Sequence, residues 1–202
     1  MKKTLVPTLI LLLTITIITA CGNKSDSKGT SKQAKSGYDF DASKYKYNTQ
    51  LELVNAFMQT LAAKDTATLI QYLINEEVIS YAATIMDKED TMPIEKKVEK
   101  ATKELNNKMK ACWGTTVRNL VTMLNEATID LSNSTVTVDT SLSEPFKGVP
   151  SILHSKATVR ILSKDQKYHK LDIYSLLRVK GKWFILGPKW NLDGKSVPNR
   201  PQ

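Results

Sequence analysis

Few side chains in this sequence have the types and spacing that proton transfer needs. General acid–base chemistry takes a carboxylate or imidazole base and a donor facing it across a pocket. The candidates are His154, His169, Asp130, Asp139, Asp172, Tyr168 and Tyr174. In the run from Tyr168 to Tyr174, strand alternation sends Tyr168, Asp172 and Tyr174 to one face and His169, Leu171 and Ile173 to the other. With the apolar set turned inward, His169 lies near the core and Asp172 faces out. A histidine satisfied by a hydrogen bond near the sheet edge fits this pattern better than a base.

Metal and cofactor chemistry finds even less support. Two histidines on separate strands and the lone Cys112 have no ligand spacing. Asp87, Glu89 and Asp90 crowd the stretch "DKEDTMP", but the alternating oxygen ligands and the glycine of a calcium loop are missing, so a solvated acidic turn is expected. Neither a nucleophile elbow nor a phosphate-cradling glycine loop occurs. Trp113, Trp183 and Trp190 could line a pocket; at a helix end, a strand start and the tail they read as packing residues. The expectation is a non-catalytic domain with no catalytic, cofactor-binding or metal-binding residue.

Cys21 has the most informative setting. Met1-Lys2-Lys3 is followed by an apolar run from Leu5 to Ile18, then Thr19-Ala20-Cys21 and a polar, glycine- and serine-rich segment. A short basic region, an apolar core and small boundary residues make a secretory signal, and the run is short for a membrane-spanning helix. Cleavage after Ala20 with an accidental thiol is one reading. The other rests on Ile18-Thr19-Ala20-Cys21, which resembles the bacterial lipobox. That resemblance implies diacylglycerol on the Cys21 sulfur, cleavage before Cys21 and acylation of the new amino terminus. Two or three acyl chains hold a protein stably at a bilayer where one does not. Residues 1–20 are thus expected to be a lipoprotein signal and Cys21 the lipid attachment site. The expected location is the cell envelope, outside the cytoplasm.

Charge and composition narrow the partners. The 202 residues carry +9, and +7 without Lys2 and Lys3. Such a surface favours lipid headgroups, an anionic envelope polymer or an acidic protein. Export argues against nucleic acid. With Cys21 lipidated, Cys112 has no partner for an intramolecular disulfide, and its helical neighbours suggest a buried, inert thiol.

These residues need elements to hold them. Residues 22–44 are polar and charged and read as a tether, which as a coil spans about 25 Å root-mean-square. Thr49 and Glu52 have capping-box spacing ahead of Leu51, Val54, Phe57, Met58 and Leu61 on one helical face. Asp65 or Thr66 caps a second helix striped by Leu69, Ile70, Leu73 and Ile74, and a weaker helix spans 76–86. Pro93 opens another, in which Ile94, Val98, Ala101, Leu105, Met109 and Cys112 form the seam. Its opposite face carries Lys96, Lys97, Lys100, Lys103 and Lys108; because Glu95, Glu99 and Glu104 dilute it, a helix packed on a core is expected and a membrane-surface helix is the lesser reading. After Trp113-Gly114, "ATIDL" and "TVTVDTSL" read as a hairpin. A connection over 144–150, "KATVRIL", "YHKLDIYSLLRV", a Lys180-Gly181 turn and "KWFILG" complete an antiparallel sheet. Helices first and strands after predict one α+β domain over 45–190, with N-terminal helices on a curled sheet and a tail over 191–202.

"LELVNAFMQTLAAKDTATLIQYL" and "LLRVKGKWFILG" resemble the opening helix pair and final hairpin of nuclear-transport-factor-2-like domains, also called cystatin-like folds. The resemblance implies a cone with a pocket between helices and concave sheet, used by enzymes and binding proteins alike, so it leaves function open. Three readings follow. The first is an anchored envelope lipoprotein with a non-catalytic interaction domain. The second is a small-molecule-binding or enzymatic cone, with polar groups converging around Tyr174 or His169. The third is an immunity or assembly factor whose basic helix meets an acidic protein.

Overall fold

A computed structural model describes residues 38–85, 92–146 and 149–199. Helix α1, Gln50–Ala62, starts where the capping box predicts. Thr49 Oγ1 accepts the Glu52 N–H at 3.1 Å, and the Glu52 carboxylate accepts the Thr49 N–H at 3.1 Å. Both bonds satisfy donors that a bare helix end leaves open, a contribution of about 1 kcal/mol. The buried face is Leu53, Val54, Phe57, Met58 and Leu61, so Leu53 replaces the expected Leu51, which lies exposed.

The expected second helix is instead a short 3-10 turn, Thr68–Tyr72. Its Leu69 and Tyr72 are buried while Ile70 is exposed. The chain cannot continue as an α-helix because Leu73 forms a parallel bridge with Ile185 and the Ile74 N–H bonds the Ile185 carbonyl at 2.9 Å. Helix α2, Glu76–Ile85, follows, with Asn75 Oδ1 accepting the Val78 N–H at 3.0 Å. The expected acidic turn at Asp87, Glu89 and Asp90 lies outside the described residues.

Helix α3, Ile94–Glu104, packs mainly against α2. It runs through a π-helical segment, Leu105–Lys110, into α4, Ala111–Glu126. A π segment fits an additional residue into the helix and turns every later side chain by about one α-helical step, 100°. The seam therefore passes from Leu105 to Trp113 rather than to Cys112. Trp113 is buried with Thr116, Val117, Leu120 and Leu124, and Cys112 is only half-buried, contrary to the buried thiol expected. Gly114, read as the end of the helical pattern, lies inside α4. "ATIDL" is not a strand either: Thr128 has φ 55° and Asp130 caps a 3-10 turn, Leu131–Asn133.

Seven strands form one antiparallel sheet: β1 Thr135–Thr140, β2 Glu144–Phe146, β3 Val149–Leu162, β4 Tyr168–Val179, β5 Lys182–Ile185, β6 Trp190–Leu192 and β7 Lys195–Ser196. The order is β1-β3-β4-β6-β7, with β2 beside β3 and β5 beside β4. Register slips between Ser155 and Ala157 on β3, where a bulge increases the local twist of the long strand pair. The β4–β5 turn holds Lys180 and Gly181 at φ 45° and 83°, the two left-handed residues a tight hairpin needs. Helices on a curled antiparallel sheet make this an α+β fold, as predicted.

Both domain limits move outward. Phe40, placed in the tether by composition, is 2% exposed; its ring meets those of Tyr45, Tyr81 and Phe184 at centroid distances of 5.0, 5.9 and 6.2 Å. The expected tail supplies β7 and most of β6, and Val197 is buried. Short runs with one or two apolar residues among polar ones resemble linkers in composition; what orders them is the surface they meet.

Candidate functional site

On the solvent face of the sheet the strands bring Asp139, Thr158, Asp172 and Asn191 into one cross-strand row. Thr158 donates to Asp172 at 2.7 Å, Lys170 Nζ lies 3.0 Å from the carboxylate, and Tyr174 OH donates to it at 3.4 Å. Asn191 Nδ2 donates to Tyr174 OH at 3.1 Å. Burial pushes the Asp172 carboxyl up, but the bonds from Thr158 and Lys170 outweigh it and hold the group below its ordinary range. A carboxylate so held is a poor base at neutral pH. Asp139 is engaged by Arg160 at 2.8 Å, and Tyr168 projects 77% exposed.

His169 has a carboxylate partner, which the sequence did not reveal. Its Nδ1 lies 2.8 Å from Asp193 Oδ2. Asp193 also accepts the Lys170 N–H at 2.8 Å and donates its own N–H to the Lys170 carbonyl at 2.8 Å, all from a residue at φ 50° in the β6–β7 turn. The pair therefore fastens that turn to β4. His154 packs its ring 5.9 Å from Phe146 beside β2. Asp130 accepts from Ser132 and Asn133, whose bonds hold it below the ordinary carboxylate range. Of the seven candidates, Asp139, Asp172 and Tyr174 thus share the outer face of the sheet, whereas Asp130 lies in a turn, His154 beside β2, and Tyr168 and His169 at the start of β4.

Between helices and sheet, three rings pack on one another within a largely aliphatic core. Phe57, Trp113 and Trp190 meet pairwise at 6.3, 5.4 and 5.2 Å, each close to edge-on. Trp183 is also buried, beside a shallow hollow of about 140 Å³ walled by Tyr45, Tyr47, Tyr72 and Phe184. Burial and the neighbouring Tyr72 push the Tyr47 hydroxyl up to about 12, so it stays protonated. A second groove, about 260 Å³, lies between the ends of α1 and α4 over Leu61, Val121, Leu124 and Ile129. Among the described residues no group of three or more histidine, cysteine or carboxylate side chains is placed to hold a metal ion.

A cluster of lysines lies on α3. At 100° per residue, Lys96, Lys100 and Lys103 fall within an arc of about 60°, centred opposite the buried Val98 and Leu105. Lys108 is paired with Glu104 at 3.4 Å and Lys110 with Glu76 at 3.0 Å. Among the described residues Lys96, Lys100 and Lys103 have no ion-pair partner, and Glu95 and Glu99 flank them on one side. Comparisons with models of protein families, with curated proteins and with solved structures find no match for this chain.

Proposed function

We propose that the protein is a membrane-anchored envelope lipoprotein whose folded domain binds a partner and performs no chemistry. The observation that carries the anchor is Ile18-Thr19-Ala20-Cys21 behind Lys2, Lys3 and an apolar run. Support for a binding role comes from the separation of both histidines from the Asp172–Tyr174 pair and from the engagement of Asp172 by Thr158 and Lys170. The helices-first order on a curled antiparallel sheet is compatible with the cystatin-like reading, although the expected opening helix pair is one helix and a 3-10 turn.

The anchor is tested by replacing Cys21 with alanine in the full chain. The expected outcome is loss of acyl labelling and movement of most of the protein from the membrane to the soluble fraction. A Cys21→Ala protein that still fractionates with membranes and still takes up label would refute it. Capture from detergent-solubilised envelopes then tests the binding role. Because Phe40 is part of the core, a soluble comparison protein starts at Tyr38 rather than Tyr45.

A further inference from the structure

We propose that the Lys96–Lys100–Lys103 face of α3 docks the domain onto anionic phospholipid headgroups of the bilayer that anchors it. This rests on the lipoprotein reading and adds an orientation to it. Three observations converge. The three lysines project directly away from the Val98–Leu105 seam and, with Glu95 and Glu99 flanking them on one side, make no ion pair with any described carboxylate, unlike Lys108 and Lys110 on the same helical run.

The second observation is where the folded domain begins. Residues 39–41 lie along α2: the Asp41 N–H bonds Glu77 at 3.3 Å and the Phe40 ring meets Tyr81. Lys180 holds Asp39 at 2.8 Å while sitting 4.4 Å from the Tyr81 ring centre. Helix α3 packs on that same α2, and neighbouring helix axes lie about 8–10 Å apart. The folded domain thus begins against the same helix that α3 packs on.

The third is reach. Only residues 22–37 separate Cys21 from Tyr38, a span of at most about 60 Å when fully extended. Any domain held this closely meets its own bilayer at high effective concentration, so individually weak lysine–headgroup attractions suffice. An acidic protein partner has no such enforced proximity, which favours headgroups on this face.

The test uses the full-length lipidated protein reconstituted into vesicles of pure phosphatidylcholine or of phosphatidylcholine with about one-third phosphatidylglycerol. Amine-reactive labelling is read lysine by lysine, with Lys164 of the β3–β4 turn as internal reference. Labelling of Lys96, Lys100 and Lys103 is expected to slow by about threefold or more only in the anionic vesicles, to recover in high salt, and to leave Lys164 unchanged. A Lys96→Gln/Lys100→Gln/Lys103→Gln variant still floats with both vesicles, but its Lys97 and Lys108 label equally in the two. Equal wild-type labelling in the two vesicle types overturns the docking while leaving the anchor standing. Slowing only after addition of an envelope protein extract overturns it in favour of a protein partner. Failure of the wild type to float with phosphatidylcholine vesicles overturns the anchor itself.

Discussion

Trp190 fills more fully buried volume than any other described side chain, and it does so with its indole N–H unpartnered. Trp113 Nε1 shares this condition among the described residues. A buried donor without an acceptor costs about 1–3 kcal/mol, whereas the rings return that through contact area and edge-on geometry. The two terms can be separated by substitution. Trp190→Phe keeps a ring and deletes the donor, so a cost of only about 1–2 kcal/mol is expected; Trp190→Ala opens a cavity and should cost about 3–5 kcal/mol. Urea denaturation of the two variants measures both, and equal costs would show that the ring contact counts for nothing. Residue roles were legible where a side chain works alone. Asp172 outward and His169 near the core follow from alternation. The Asp193 partner of His169 did not, because it arrives from a turn 24 residues away, held by backbone bonds that composition does not encode.

Among the elements, the run from α3 to α4 shows best what periodicity can and cannot carry. A period of 3.6 extrapolated from Ile94 reaches Cys112 in phase. One added residue within Leu105–Lys110 moves the phase to Trp113, and nothing in "LNNKMK" marks the change. The same slip made Gly114 look like a stop. Its position in the middle of a helix leaves it without purpose there: an added Cβ would lie 3.7 Å from the Arg118 guanidinium, ordinary contact distance. Gly114→Ala is therefore expected to stabilise the protein by about 0.5–1 kcal/mol, read as a higher urea midpoint at unchanged slope. A lower midpoint would mean that the helix is not continuous through this point. The capping box and the tight Lys180-Gly181 turn were readable because each is a local device whose partners sit within a few residues.

At the scale of the whole molecule, the limits of the fold depend on contacts far apart in sequence. Tyr38–Lys44 and Asn191–Val197 are polar stretches with a few apolar anchors, and both fold because Phe40 and Val197 find buried sites. In the full chain, Phe40→Ala should cost about 3–5 kcal/mol, a drop in melting temperature on the order of 10 °C. An unchanged melt would show that the strap formed by residues 38–44 is dispensable and that the fold starts nearer Tyr45. The class of fold, by contrast, was legible throughout, since helical stripes precede alternating strands regardless of where either block ends.

The strap also decides how the domain answers a pull. Tension arriving along the chain toward residue 38 meets the Asp39–Lys180 pair and then one ring wedged among three others, not a ladder of strands loaded in shear. Such contacts peel one after another. Releasing residues 39–44 gives about 20 Å of slack, and the capping box at Thr49 and the whole sheet remain unstrained behind it. In a chain anchored at Cys21 as proposed, residues 39–44 would serve as an extensible coupling ahead of the folded body.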